Sequence, residues 1–139
     1  MNSKFNNMKK IILILSLVLT SICGFSQTPV QLLTYKNQVC WIDKNSNEFS
    51  YEKYVYSTLT FSFYNDYISV NDENHSIYRI VEDLPIVNNV EKEVTKAICY
   101  DEKNRKCIVS LIRFKNKQSS SITIMYEDRM FIYVVDMEK

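Results

Sequence analysis

The chain has 139 residues, 46% of them hydrophobic and 24% charged, with a formal charge of +1. Those values suit one folded domain and exclude a disordered tail or a coiled coil. The even charge lacks the basic excess that nucleic acid demands, and one glycine, two prolines and one histidine remove most glycine-loop and histidine-based catalytic sets.

Residues 1–26 read as a secretory signal peptide. Lys4, Lys9 and Lys10 make a positive start, and Ile11 to Leu19 form an apolar run of the length of a signal core. That run is too short to span a bilayer, which takes about 20 apolar residues. Gly24-Phe25-Ser26 sets small residues at the −3 and −1 positions of a cut before Gln27. Two alternatives stand beside cleavage: retention as an anchor through residues 11–22, and lipidation at Cys23, which wants a small residue where Ile22 sits. Cleavage after Ser26 leaves a single domain, 27–139, of 113 residues and charge −2, with no glycine. Turn positions with φ > 0 then fall to asparagine, of which ten remain.

At the start of this domain, Val30–Tyr35 and Gln38–Ile42 read as two strands turning at Lys36-Asn37, with Leu32 near Trp41. Residues 48–56 fit either a strand, with Phe49, Tyr51 and Val55 alternating, or a short helix. From residue 57 the period-2 pattern is clear. Leu59, Phe61 and Phe63 share a face, and a two-residue Asn65-Asp66 turn sets Phe63 opposite Ile68 and Phe61 opposite Val70. A loop Asp72-Glu73-Asn74 with Asn74 left-handed aligns Tyr78 with Ile68. Residues 84–93, with Pro85, read as a connecting loop with room for one helical turn. The loop Glu102-Lys103-Asn104 places Cys99 opposite Cys107, and the Glu127-Asp128 turn pairs Ile124 with Phe131. The fold class that follows is all-β: an antiparallel meander of seven to nine short strands closing into a small sandwich or rolled barrel. A transmembrane barrel wants longer, cleaner strands.

Three cysteines follow the leader. In an exported chain the default is a bridge, and the register makes Cys99 and Cys107 the expected disulfide, with Cys40 a buried thiol beside Trp41. No motif assigns catalytic residues, a metal site or a cofactor. His75 is alone, a Cys40–His75 pair lacks any feature that joins the two, and most of the acid pairs sit at predicted turns, where carboxylates stay solvated. The C-terminal strands are apolar on both sides: Ile122, Ile124, Phe131, Tyr133 and Val135 on one, Met125, Met130, Ile132 and Val134 on the other. Either residues 30–56 cover the second side or it is a contact surface, for a partner or for self-association.

These readings point to a secreted or periplasmic, non-enzymatic binding module for a protein or other macromolecule, of inhibitor, immunity or surface-accessory type. It is not membrane-spanning once cleaved. Its candidate surface comprises Tyr51, Tyr54, Tyr56, Met125, Met130, Ile132 and Val134. The alternative is a small apolar-ligand carrier, with Phe61, Phe63, Ile68, Leu111 and Ile124 lining a cavity. A small hydrolase using paired acids or Cys40 comes third.

Overall fold

A computed structural model describes residues 28–117 and 119–136. The signal-peptide and lipidation expectations therefore lie outside the described residues. Ten strands run in the described chain: β1 (Val30–Ile42), β2 (Phe49–Tyr51), β3 (Val55–Phe63), β4 (Tyr67–Val70), β5 (Ile77–Asp83), β6 (Val87–Asn88), β7 (Lys92–Tyr100), β8 (Lys106–Phe114), β9 (Ser119–Met125) and β10 (Arg129–Val135). All pairings are antiparallel, and they join sequence neighbours except that β1 skips β2 to join β3, β5 skips β6 to join β7 and β1 closes on β10. The result is an eight-stranded up-and-down barrel, the closure that removes free sheet edges from the wall. β2 continues the line of β3 along β1, and β6 lies on β7.

The short turns set the register. Phe63 faces Ile68, Phe61 faces Val70, Ile68 faces Tyr78, Cys99 faces Cys107 and Ile124 faces Phe131. Each agrees with the turn length read from the sequence, because a one-residue slip would carry every apolar side chain through the wall. The inward positions build one core around Phe61, Ile68, Val70, Ile122 and Ile124, none more than 3% exposed. Fully burying a side chain of this kind stabilises by roughly 1.5–3 kcal/mol. Leu111 packs against this core, which also contains Phe63.

Three expectations are corrected. Val30–Ile42 is one strand of 13 residues, not a hairpin turning at Lys36-Asn37. A bulge between Thr34 and Lys36 reverses which residues face inward, and the two out-of-phase halves resemble two strands. β1 consequently fills a place in the wall instead of covering the sheet as a second layer. Of the two readings of residues 48–56 the strand holds, in Phe49–Tyr51 and from Val55 onward, and 87–88 form a short strand where a loop was expected.

Cys99 and Cys107 are also free thiols, as is Cys40. Correct register brings the Cys99 and Cys107 backbones together, but a bridge further demands a defined Sγ–Sγ orientation. The Cys99 thiol instead turns along its own strand toward the Ala97 carbonyl, at 3.9 Å. Burial pushes Cys99 up to about 12, with the nearby Cys107 and Asp83 adding to the effect, and pushes Cys107 up to about 11.

Candidate functional site

Among the described residues, candidate chemistry gathers on the outer face around β1 and at the mouth of the barrel.

On the outer face, side chains fall in rows across the strands. Met125, Met130, Cys40 and Tyr51 are successive register partners from β9 to β2. Val134, Lys36 and Tyr56 form a second row, and Ile132 faces Gln38 between them. Tyr54 joins through Lys36, whose Nζ lies 4.3 Å from the Tyr54 ring centroid and within 6 Å of Tyr35 and Tyr56. All seven residues singled out in the sequence are thus gathered on one side of the barrel. Tyr51 and Tyr56 are 57% and 72% exposed and Met125 is 38% exposed, whereas Met130, Ile132 and Val134 are half-buried. Cys40 lies in this outer row yet is fully buried. The Tyr51 phenol is held above its usual range, first by the charge Cys40 would carry, then by desolvation and their hydrogen bond.

In a meander, alternate turns share one end. The turns after β1, β4, β7 and β9 accordingly surround one mouth. Three begin with aspartate and end on a left-handed residue: Asp43 with Asn47 (φ 60°), Asp72 with His75 (φ 51°) and Asp101 with Asn104 (φ 63°). The left-handed position expected at Asn74 is corrected to His75, because the turn starts at Asp72, whose carbonyl accepts from the His75 N–H. The Asp72 carboxylate accepts from the Ser76 N–H and hydroxyl. Asp101 does more. Its Oδ1 accepts from Lys103 and Arg105 N–H groups, and its Oδ2 from Arg105 Nε at 3.0 Å and the Tyr126 hydroxyl at 2.8 Å. Burial opposes the charged Asp101, but the Arg105 N–H, the Tyr126 hydroxyl and the Arg105 guanidinium outweigh it and hold the carboxyl below the usual range.

Between these turns lies a cavity of about 470 Å³, within the range of small-molecule sites. Tyr78, Tyr126, Phe131 and Tyr133 supply its aromatic lining, and Asp72, Asp101, Glu102, Lys103, Arg105 and Arg129 its charges. Tyr133 meets Phe61 edge to face at 4.9 Å, and Tyr126 meets Phe131 at 6.2 Å. Arg129 lies 5.3 Å from the Trp41 ring and contacts Asp128 at 3.3 Å. Burial pushes Tyr133 up to about 12, with Asp72 adding to it. Burial also raises Tyr78, as do Tyr133 and Asp72, and it raises Tyr126 together with the Asp101 hydrogen bond. The lining phenols therefore stay protonated at neutral pH. A second cavity, about 650 Å³ and open outward, shares Arg105, Tyr126 and Arg129 and adds Ile108 and Met125.

Cys40 and His75 line neither cavity. Among the described residues, no group of three or more His, Cys, Asp or Glu side chains is placed to hold a metal ion. Of the acid pairs, Asp101 is saturated by Lys103, Arg105 and Tyr126, Asp72 accepts one bond on each carboxylate oxygen from Ser76, and Glu93 is joined to Arg113 at 2.6 Å. The mouth residues Tyr78, Tyr126, Tyr133 and Arg129 were not among the sequence candidates. Their usable signal was the alternation of turns, which puts the aspartate-led loops at one end. Comparison with known protein families, curated proteins and solved structures finds no match.

Proposed function

We propose that this protein is an exported, non-enzymatic binding module that recognises a protein partner through the outer face of β9, β10, β1 and β2. The observation that supports the reading is the registered array of exposed tyrosines beside half-buried Met130, Ile132 and Val134. Tyrosines offer large contact area at low entropic cost, and aliphatic side chains beside them supply the dry centre of an interface. The face is the outside of a barrel wall, a shape that suits a macromolecule over a small ligand. Without a basic excess, neither nucleic acid nor an anionic bilayer is favoured. Export, with cleavage after Ser26, belongs to the same proposal and rests on the leader pattern alone.

Site-specific photocrosslinking tests it. A benzophenone side chain in place of Tyr56 or Tyr51 should give one discrete adduct in the exporting cell, whereas one at the exposed Val90, off this face, should give none. An adduct of twice the chain mass would replace a foreign partner by a second copy. No adduct from the tyrosine positions, or the same pattern from Val90, would defeat the proposal. The mass of the exported chain reads the cleavage site independently.

The carrier reading keeps less support in its original form. Phe61, Phe63, Ile68 and Ile124 are at most 4% exposed and pack on one another, and both cavities described above have other linings.

A further inference from the structure

The mouth cavity is a separate place from the outer face, and its chemistry is specific. Its charges balance in number, with Asp72, Asp101 and Glu102 against Lys103, Arg105 and Arg129. Arg105 is bonded to Asp101, and Arg129 to Asp128 outside the cavity lining. Asp101 is saturated, with two donors on each oxygen. A ligand therefore meets little net charge. Hydrogen-bonding capacity of both kinds nevertheless remains. Among the described residues the Asp72 carboxylate accepts from Ser76 alone, once on each oxygen, and has lone pairs to spare. Arg105 and Arg129 each use Nε in their ion pairs, which leaves the terminal guanidinium nitrogens as donors. The Tyr78 and Tyr133 hydroxyls donate or accept. Beside these groups stand the flat faces and edges of Phe131, Tyr133, Tyr78 and Tyr126.

From this we infer that the mouth binds a neutral, polyhydroxylated ring of one or two sugar units. Hydroxyls are the groups that donate to Asp72 while accepting from arginine and phenol, and the weakly polar C–H faces of a sugar pack on aromatic rings. An anionic ligand would meet Asp72 and Glu102 beside Lys103, so the acids offset what the cations offer. A cationic one would meet Arg105 and Arg129 at the rim.

The test is calorimetric or NMR titration of the full chain with glucose, galactose, mannose, N-acetylglucosamine and maltose, alongside benzoate and choline as charged counterparts. At least one sugar should bind with millimolar or tighter affinity and shift the resonances of residues 72–78, 101–105 and 126–133. Tyr133→Phe, which keeps the ring on Phe61 and removes only the hydroxyl, should weaken that sugar about five- to tenfold at unchanged melting temperature. Asp72→Asn should weaken it as well, with His75 and Ser76 amide shifts reporting whether the turn survives. Failure of every sugar, binding of benzoate or choline alone, or shifts confined to the outer face would each overturn the inference. None of these results bears on the photocrosslinks from Tyr51 and Tyr56, so the two proposals fail separately.

Discussion

Inside the barrel, Phe61 and Tyr133 touch edge to face, and the two residues belong to different regimes. Phe61 is wholly enclosed with Ile68, Val70, Ile122 and Ile124. Tyr133 packs on that core and also lines the mouth, among Tyr78, Tyr126 and the aspartate-led turns. An eight-stranded barrel has an interior just wide enough to be filled by its own side chains or to admit one small ligand. This chain does the first with phenyl and aliphatic groups and leaves room for the second where phenols take over. Hydroxyls on the inward positions remove the drive to close the remaining space, because each needs a partner that the core lacks.

The largest expected effect separates these regimes directly. Phe61→Ala should cost about 3–5 kcal/mol, the range for emptying a packed aromatic site, whereas Tyr133→Phe should change stability by less than about 1 kcal/mol. Urea unfolding of the two variants measures both. Similar losses from each would mean that the mouth is packed as tightly as the core.

Asp101 and Asp72 sharpen the contrast within the mouth. Asp101→Ala strips three hydrogen bonds from the β7–β8 turn and a fourth from Tyr126, and should cost about 1–3 kcal/mol, more than Asp72→Ala. The sign with pH follows from the depressed Asp101 carboxyl. Its contribution is present above the unfolded value, near 3.9, and is lost as pH falls through the lower folded value. Asp101→Asn should therefore flatten the acid limb of a stability profile below about pH 4.

Thiols and phenols govern the alkaline limb. Cys99, Cys107 and Tyr133 have raised folded values of about 12, 11 and 12. Their neutral forms are kept in the folded state while the unfolded chain ionises, so stability is present below the unfolded thiol value near 8.5 and declines as pH rises toward 12. Alkylation followed by mass analysis should find Cys99 and Cys107 unmodified in the folded protein at neutral pH and modified once urea is added. Protection that persists in urea until reductant is added would instead indicate a bridge.

Much of the wall was legible in the sequence. The pairs Phe63–Ile68 and Cys99–Cys107 follow from period-2 alternation joined by turns of defined length, two local signals that agree. β1 was not legible, because its bulge changes which parity faces inward and so imitates a turn. The outer tyrosines and methionines were legible as a set, since alternation sorts faces, although their rows required the β1–β10 closure that no local signal carries. The mouth was hidden for another reason. Tyr78 and Tyr133 are ordinary strand formers, and only the stagger of neighbouring strands decides whether an inward tyrosine is enclosed or lines an opening.

The smallest effect concerns the turns that frame that opening. His75 and Asn104 occupy corresponding left-handed positions, but asparagine visits that region with little penalty and histidine less readily. His75→Asn should therefore stabilise by about 0.5 kcal/mol, an estimate set below the 1–2 kcal/mol cost of the left-handed region for ordinary residues. Asn104→Ala should destabilise by about 1 kcal/mol on the same scale. Both are read from denaturant midpoints at constant slope. A stabilising His75→Asn would show that histidine is a strained choice at the rim, whereas a loss would mean that its imidazole makes a contact the turn geometry alone does not require.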